Sequence, residues 1–251
     1  MAEKRNQIDF LQKAAMYELL ADYYRYSNPN LHIHYYLKHM KNTNKALDIM
    51  SNITDINKRV LHADANIRFL HAVYDAHKVD LYVNNKPFAS NVPFQKVSDY
   101  VSLQPGQYSI EIFSSEEPAK RLLNNNMLIE AGKIYTIAAV GLLEKVNLLT
   151  VENRPSVPLG ESKMRFLHLA TDTPSLDLAV KDRDVVFPNI SFQQATDYLG
   201  LTPMTVDLEL RTAGRKEVIL PMPKLQFKAN ETYTVVLFGL EKELSISVIK
   251  D

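Results

Sequence analysis

No cysteine occurs in the 251 residues. That excludes disulfide staples, thiolate catalysis and cysteine-based zinc or iron–sulfur sites. Glycine is scarce, at seven residues, which leaves little room for a backbone loop that cradles phosphate. Neither sign of charge is in excess. The 29 basic residues balance 29 acidic ones, so nothing pulls the chain globally toward nucleic acid or anionic lipid. Long apolar runs are missing as well. No window approaches the roughly 18 apolar residues of a membrane-spanning helix. Near the N-terminus, Asp9, Lys13 and Glu18 interrupt the stretch that a signal peptide would need unbroken. The expectation is a protein with no membrane span and no conventional export signal, residing in the cytoplasm. No G-x-S-x-G elbow, HExxH pair or EF-hand loop is found. With no catalytic constellation, neither an enzyme activity nor a cofactor is expected.

What the chain does contain is a repeat. IRFLHAVYDAHKVDLYV from Ile67 returns as MRFLHLATDTPSLDLAV from Met164. Arg68, Phe69, Leu70, His71, Asp75, Asp80, Leu81 and Val83 recur as Arg165, Phe166, Leu167, His168, Asp172, Asp177, Leu178 and Val180. Farther on, AGKIYTIAAVGL from Ala131 returns as ANETYTVVLFGL from Ala229. Two copies of one module therefore fill most of the chain. Apolar residues make up 46% of the sequence, enough for two packed cores.

Within each copy the apolar period is two. Ile67, Phe69 and His71 alternate with Arg68 and Leu70, and Val79, Leu81 and Val83 alternate with Asp80 and Tyr82. Turn signals follow at Asn84-Asn85, Gln104-Pro105-Gly106-Gln107 and Ala131-Gly132-Lys133. Short strands at this spacing predict an antiparallel β-sandwich in each module. The boundaries expected are 64–151 and 163–251. Residues 152–162, stiffened by Pro155 and Pro158, form the linker, and two modules joined this way suggest a semi-rigid rod. In the second copy Pro203-Met204 stands in place of Pro105-Gly106, so a different turn is expected there.

Residues 1–60 follow a helical period instead. Phe10, Leu11, Ala14, Ala15, Tyr17, Leu19 and Leu20 form one stripe. The run stops at Ser27-Asn28-Pro29-Asn30. A second run, from Leu31 to Met50, carries Leu31, Tyr35, Leu37, Met40, Leu47 and Met50, with a kink expected at Asn42-Thr43-Asn44. Together they predict a helical hairpin that must bury its stripe on something.

The two copies, read with AGKIYTIAAVGL, resemble the bacterial family known as domain of unknown function 4397. The shared motif is a strand ending in His-Ala, an Asp-containing turn, a Val-Asp-x-x-Val strand and a closing Gly-x-x-Tyr-Thr strand. The resemblance covers residues 64–251. It implies two tandem immunoglobulin-like or transthyretin-like sandwiches, often on exported or surface proteins, and no enzyme activity. The added helical hairpin and the missing export signal depart from that pattern. In this they resemble cytoplasmic or spore-associated proteins of spore-forming bacilli.

Two groups of residues could carry function. The first is the His/Asp set His71, Asp75, His168 and Asp172. It could line ligand loops at one sandwich end, near Asp75–Lys78 and Thr171–Ser175, for a small ligand or carbohydrate. The competing reading is structural: histidines at the core edge, and Asp75 closing its own turn through an Asx bond. One imidazole per module without a second ligand is a poor metal cage. Arg68 with Asp80, and Arg165 with Asp177, are expected as cross-strand ion pairs. Tyr135 and Tyr233 suit a tyrosine corner. The second group is aromatic: Tyr23, Tyr24, Tyr26, His32, Tyr35, Tyr36 and His39. Stacking on single-stranded nucleic acid wants a positive groove, yet residues 1–60 hold nine Lys/Arg against six Asp/Glu. A surface that binds this chain itself or another protein fits better.

Overall fold

The computed structural model describes the backbone of residues 2–61, 63–117 and 119–251, and the side chains of residues 8–47, 49, 63–117 and 119–251. Met50, expected on the second helical stripe, falls outside the described side chains. The chain divides into two compact units, Met1–Ala63 and Asp64–Asp251.

The first unit is a hairpin of α1 (Ala2–Tyr24) and α2 (Pro29–Leu61). Asn28 starts α2. Its Oδ1 accepts the Leu31 N–H at 3.2 Å, while Pro29 takes the first helical position, where a missing N–H costs nothing. No break occurs at Asn42-Thr43-Asn44, and α2 continues through these residues. Asn42 Nδ2 donates to the Lys38 carbonyl at 2.7 Å and Thr43 Oγ1 to the His39 carbonyl at 3.1 Å. Their polar groups are thus satisfied along the helix and do not compete with it. Among the described residues of the hairpin, the buried apolar ones are Ala14, Ala21 and Ala46. Small side chains let the two helices approach closely.

The second unit repeats one eight-stranded plan twice. The first module holds β1 (Ala65–Val73), β2 (Lys78–Val83), β3 (Lys86–Pro93), β4 (Val101–Leu103), β5 (Gly106–Ser114), β6 (Arg121–Ile129), β7 (Ile134–Leu142) and β8 (Lys145–Asn153). The second holds β9 (Ser162–His168), β10 (Leu176–Val180), β11 (Val185–Ile190), β12 (Leu199–Leu201), β13 (Met204–Thr212), β14 (Val218–Phe227), β15 (Glu231–Leu240) and β16 (Glu243–Lys250). Each module stacks two four-stranded sheets. Their orders are β4-β1-β7-β8 and β3-β2-β5-β6, then β12-β9-β15-β16 and β11-β10-β13-β14. Pairing is antiparallel except between β1 and β7, and between β9 and β15, which run parallel. Gly106 and Met204 open equivalent strands, so the substitution in the second copy leaves the plan intact.

Ile67, Phe69, Leu81, Ile110 and Ile137 fill the core of the first module, and Phe166, Leu178, Leu210, Phe227 and Val235 that of the second. A third core joins the modules. Leu70, Ala72, Ala138, Val140 and Val151 pack with Leu167, Leu169, Val236, Phe238 and Ile249. The rod-like arrangement is therefore replaced by face-to-face packing of two sheets. The physical reason lies in the opposite parity of β1, β7, β9 and β15. Residues on both faces of these strands are apolar, so both faces must be covered.

The hairpins β7–β8 and β15–β16 each depend on one glycine. Gly141 sits at φ 112° and Gly239 at φ 104°. A Cβ on Gly239 would lie 2.1 Å from the Glu243 carbonyl oxygen, and one on Gly141 would lie 2.4 Å from that of Lys145. This close backbone approach is why a Gly-Leu pair ends both copies of the strand.

Candidate functional site

The His/Asp set occupies the end of each module, where β1 and β9 run out. His71 is fully buried. Its Nε2–H donates to the Ala76 carbonyl at 2.9 Å, and its Nδ1 accepts the Val73 N–H at 3.2 Å. Both ring nitrogens are used and the tautomer is fixed. Burial pulls its pKa down to about 4, only partly offset by the bond to Ala76, so the ring is neutral at physiological pH. Phe94 meets the ring edge-on at 5.9 Å. His168 is equally buried and burial lowers its pKa too. Its Nε2 contact with the Pro174 carbonyl is stretched to 3.5 Å, and its Nδ1 has no hydrogen-bond partner.

Asp75 and Asp172 do not close their own turns, contrary to the Asx expectation. Asp75 Oδ1 accepts the Leu143 N–H at 2.7 Å, and Asp172 Oδ1 accepts the Glu241 N–H at 2.7 Å. Each carboxylate thus pins the tip of a distant hairpin, β7–β8 or β15–β16. The donors became available because those two-residue tips leave their amides outside the strand ladder. Among the described residues, no group of three or more His, Cys, Asp or Glu side chains could hold a metal ion.

The ion pairs expected within each module are overturned. Asp80 Oδ1 instead accepts the Asn91 N–H at 2.6 Å, and Asp177 Oδ1 the Asn189 N–H at 2.7 Å. Asn91 and Asn189 have φ near +50° (53° and 52°), so these carboxylates secure irregularities in β3 and β11. Arg68 and Arg165 point the other way, into the contact between modules, and are almost fully buried. Arg68 donates to Thr136 Oγ1 at 2.9 Å, to the Lys250 carbonyl at 2.7 Å and to the Asp251 carboxylate. Arg165 mirrors it, donating to Thr234 Oγ1 at 3.0 Å, to the Glu152 carbonyl at 2.8 Å and to Asn153 Oδ1. Each guanidinium lies over a tyrosine, Tyr100 at 4.8 Å and Tyr198 at 4.6 Å. Burial raises the Tyr198 pKa, which keeps its hydroxyl protonated to donate to Asp251. The arrangement is two-fold related, with Asn153 where its mate has Asp251. Sequence reading missed it. The signal was an arginine kept in both copies on the face whose neighbours are Leu70, Ala72 and their equivalents.

Tyr233 fits the corner role: its hydroxyl accepts the Lys228 N–H at 3.1 Å.

In the hairpin the aromatic set divides in two. Tyr24, Tyr35, His32 and His39 are half-buried. Tyr35 stacks on Tyr24 at 5.7 Å and on Tyr17 at 6.2 Å. His32 Nδ1–H donates to the Ala21 carbonyl at 2.8 Å, and His39 Nδ1–H to that of Ala14 at 3.1 Å. These residues bind the two helices to each other. Tyr23, Tyr26 and Tyr36 stay exposed. The exposed surface also includes residues that reading by aromatic content passed over. On α1 these are Ile8, Leu11, Met16 and Leu19; on α2 they are Ile33, Leu37, Met40 and Leu47. Leu19 is 72% and Leu37 63% exposed. Ile8, Leu11, Ala15 and Leu19 are spaced three, four and four apart, so they share one face of α1. Ile33, Leu37, Met40 and Leu47 do the same on α2. No helix of the described residues is long and apolar enough to cross a membrane.

No curated protein matches. Among solved structures, the C-terminal domain of AlgF from P. aeruginosa is 17% identical, over 37% of this chain and 99% of that chain, with a TM-score of 0.30. The Bacillus anthracis TIE protein is 10% identical over 70% of this chain, which spans 33% of that one, with a TM-score of 0.22. A fimbrial assembly protein from Parabacteroides distasonis is 12% identical, over 76% of this chain and 99% of that chain, again with a TM-score of 0.22. Residues 65–179, spanning the first module and the start of the second, match the family model described as Domain of unknown function (DUF4397).

Proposed function

We propose that this is a non-enzymatic assembly protein, in which the β unit is the scaffold and the helical hairpin associates with the hairpin of a second copy. The observation that carries this reading is the exposed apolar stripe on each helix. Among the described residues, the hairpin's own interface of three buried alanines and half-buried aromatics leaves both stripes uncovered. A second pair of helices would cover both stripes in a bundle of four.

Charge supports a second copy as the occupant. Residues 8–24 carry Asp9, Glu18 and Asp22 against Lys13 alone, whereas residues 29–47 carry Lys38, Lys41 and Lys45 and no carboxylate. Laid against the other copy, Asp9 and Glu18 of this part of α1 meet the lysines of this part of α2, twice, in an isologous dimer. The ligand-loop reading is less favoured because Asp75 and Asp172 already spend carboxylate oxygens on backbone N–H groups, and His71 is sealed.

The test is the solution mass of the full chain carrying Leu19→Glu with Leu37→Glu. Neither side chain belongs to the contact between α1 and α2, so helix content should persist by circular dichroism. The expected result is a smaller assembly than the parent. An unchanged mass refutes the reading.

A further inference from the structure

A second self-association surface lies on the other unit, at the outer edge of β6. The strand reads Arg121-Leu-Leu-Asn-Asn-Asn-Met-Leu-Ile129 and ends its sheet, with β5 on one side only. The direction of its backbone groups follows from β5. Ser109 exchanges backbone contacts with Asn84, next to β2, so Tyr108, Ile110 and Ile112 face β6. Their partners there are Met127, Asn125 and Leu123. Asn124, Asn126 and Leu128 therefore aim their N–H and C=O groups away from the sheet, while a register shift between Ile112 and Phe113 puts a bulge at Leu122, near the start of the strand. The Asn126 N–H is met by the side chain of Asn125 at 2.8 Å, as expected of a donor with no strand beside it.

Natural sheet edges are blunted by proline, charge or bulges. The equivalent strand of the second module is blunted in this way. Pro221 stands opposite Glu209 where Asn124 stands opposite Glu111. Pro223 follows, and then Lys224 at φ 55°. The β6 strand has no proline, and Arg121 is its one charged residue. Its Leu128 is 60% exposed.

The sequence of β6 is also close to a palindrome about Asn125. Laid antiparallel on itself with Asn125 opposite Asn125, Leu123 meets Met127 and Asn124 meets Asn126 along the regular part of the strand. The same register brings the outward-facing residues of one strand opposite those of the other, so the hydrogen-bonding parity agrees with the side-chain match. We propose that β6 pairs with β6 of a second copy of this chain, antiparallel and centred on Asn125, which joins the two outer sheets into one continuous sheet. The occupant is fixed by self-complementarity: apolar residues meet apolar ones and asparagines meet asparagines, with no like charges opposed. Together with the hairpin it would give each chain two different two-fold contacts, which assemble more than two copies.

The chain's lack of cysteine makes a direct test possible. Asn125→Cys places a single thiol on the two-fold axis, at a non-hydrogen-bonded pair with Cα atoms about 4.5 Å apart, within disulfide reach. Asn126→Cys lies off the axis. Mild oxidation should link the first variant into covalent dimers and leave the second largely unlinked. Equal linking at both positions, or none at position 125, overturns the pairing. The second arm measures mass in the Leu19→Glu with Leu37→Glu background, where β6 alone should hold a dimer. Adding Asn124→Pro, which copies Pro221, should give a monomer with unchanged thermal stability. A background already monomeric, or a dimer that survives the proline, refutes the proposal. If only the hairpin reading fails, the parent is a dimer that the glutamates leave unchanged and Asn124→Pro dissociates.

Discussion

Acid should destabilise the β unit in a window set by His71. In the unfolded chain a histidine titrates near 6.5. In the folded chain burial holds this one at about 4. Between those values the unfolded state binds a proton that the folded state refuses, so stability falls as pH drops. Above about pH 6.5 the effect vanishes; below about pH 4 it is complete. The difference in pKa corresponds to about 3 kcal/mol, a large part of a typical folding free energy of roughly 5–15 kcal/mol. The perturbation to use is His71→Gln. Its side-chain amide can still donate to the Ala76 carbonyl but does not titrate. Urea unfolding of parent and variant at a series of pH values separates the two effects. At pH 7 the variant should be less stable by about 1–2 kcal/mol, from lost ring packing against Phe94. Toward pH 4 the gap should close and then reverse, because the parent alone loses the histidine contribution. Parallel stability curves for the two proteins across that window would refute the reasoning.

Other positions give equally specific expectations. Gly239→Ala drives a Cβ into the Glu243 carbonyl and should lower stability by about 2–4 kcal/mol in a thermal melt; a shift of under 1 °C in Tm would contradict the geometry. Arg68→Met leaves the buried Asp251 carboxylate without its closest cation and should cost about 3–5 kcal/mol, measurable by urea unfolding. Asn153→Asp adds the carboxylate that the two-fold mate already has, next to Arg165. The Tyr100 and Thr136 hydroxyls, which accept from Asn153 Nδ2–H, would turn to donate, as Tyr198 and Thr234 do to Asp251, so stability should stay unchanged or rise by about 1 kcal/mol at pH 7; a clear loss would count against the symmetric description. Asp172→Ala frees the Glu241 N–H at the β15–β16 tip and should cost about 1 kcal/mol, with faster amide exchange at Glu241 as its local signature.

The duplicated strands and the helical hairpin were legible because each rests on local pattern. Alternation in KVDLYV and the Asn84-Asn85 turn suffice to place β2, and Ser27-Asn28-Pro29-Asn30 marks the break between the helices, although α2 begins at Pro29 and runs to Leu61 instead of spanning Leu31 to Met50. What escaped the sequence depends on contacts between distant segments. The runs TIAAV and TVVLF do not alternate, which marks strands covered on both faces, but the run cannot say what covers the second face. Residue spacing put Arg68 near Asp80. The true partners, Lys250 and Asp251, come from the far end of the other module, and no periodicity links them. Asp75 shows the same limit. As a turn-forming residue it pointed to its own loop, yet its acceptor is used by a hairpin tip much later in the chain. In the candidate sites, the exposed face was only half legible from Tyr and His content. Aromatic rings suit interfaces in general, but here several of them hold the hairpin together, and the aliphatic residues Leu19 and Leu37 form the exposed stripes.

Self-association is the central claim, and the solution mass of the full chain by light scattering over a range of concentrations tests it most directly. The account predicts an assembly of two or more copies that grows with concentration. A mass equal to one 251-residue chain at every concentration would contradict it.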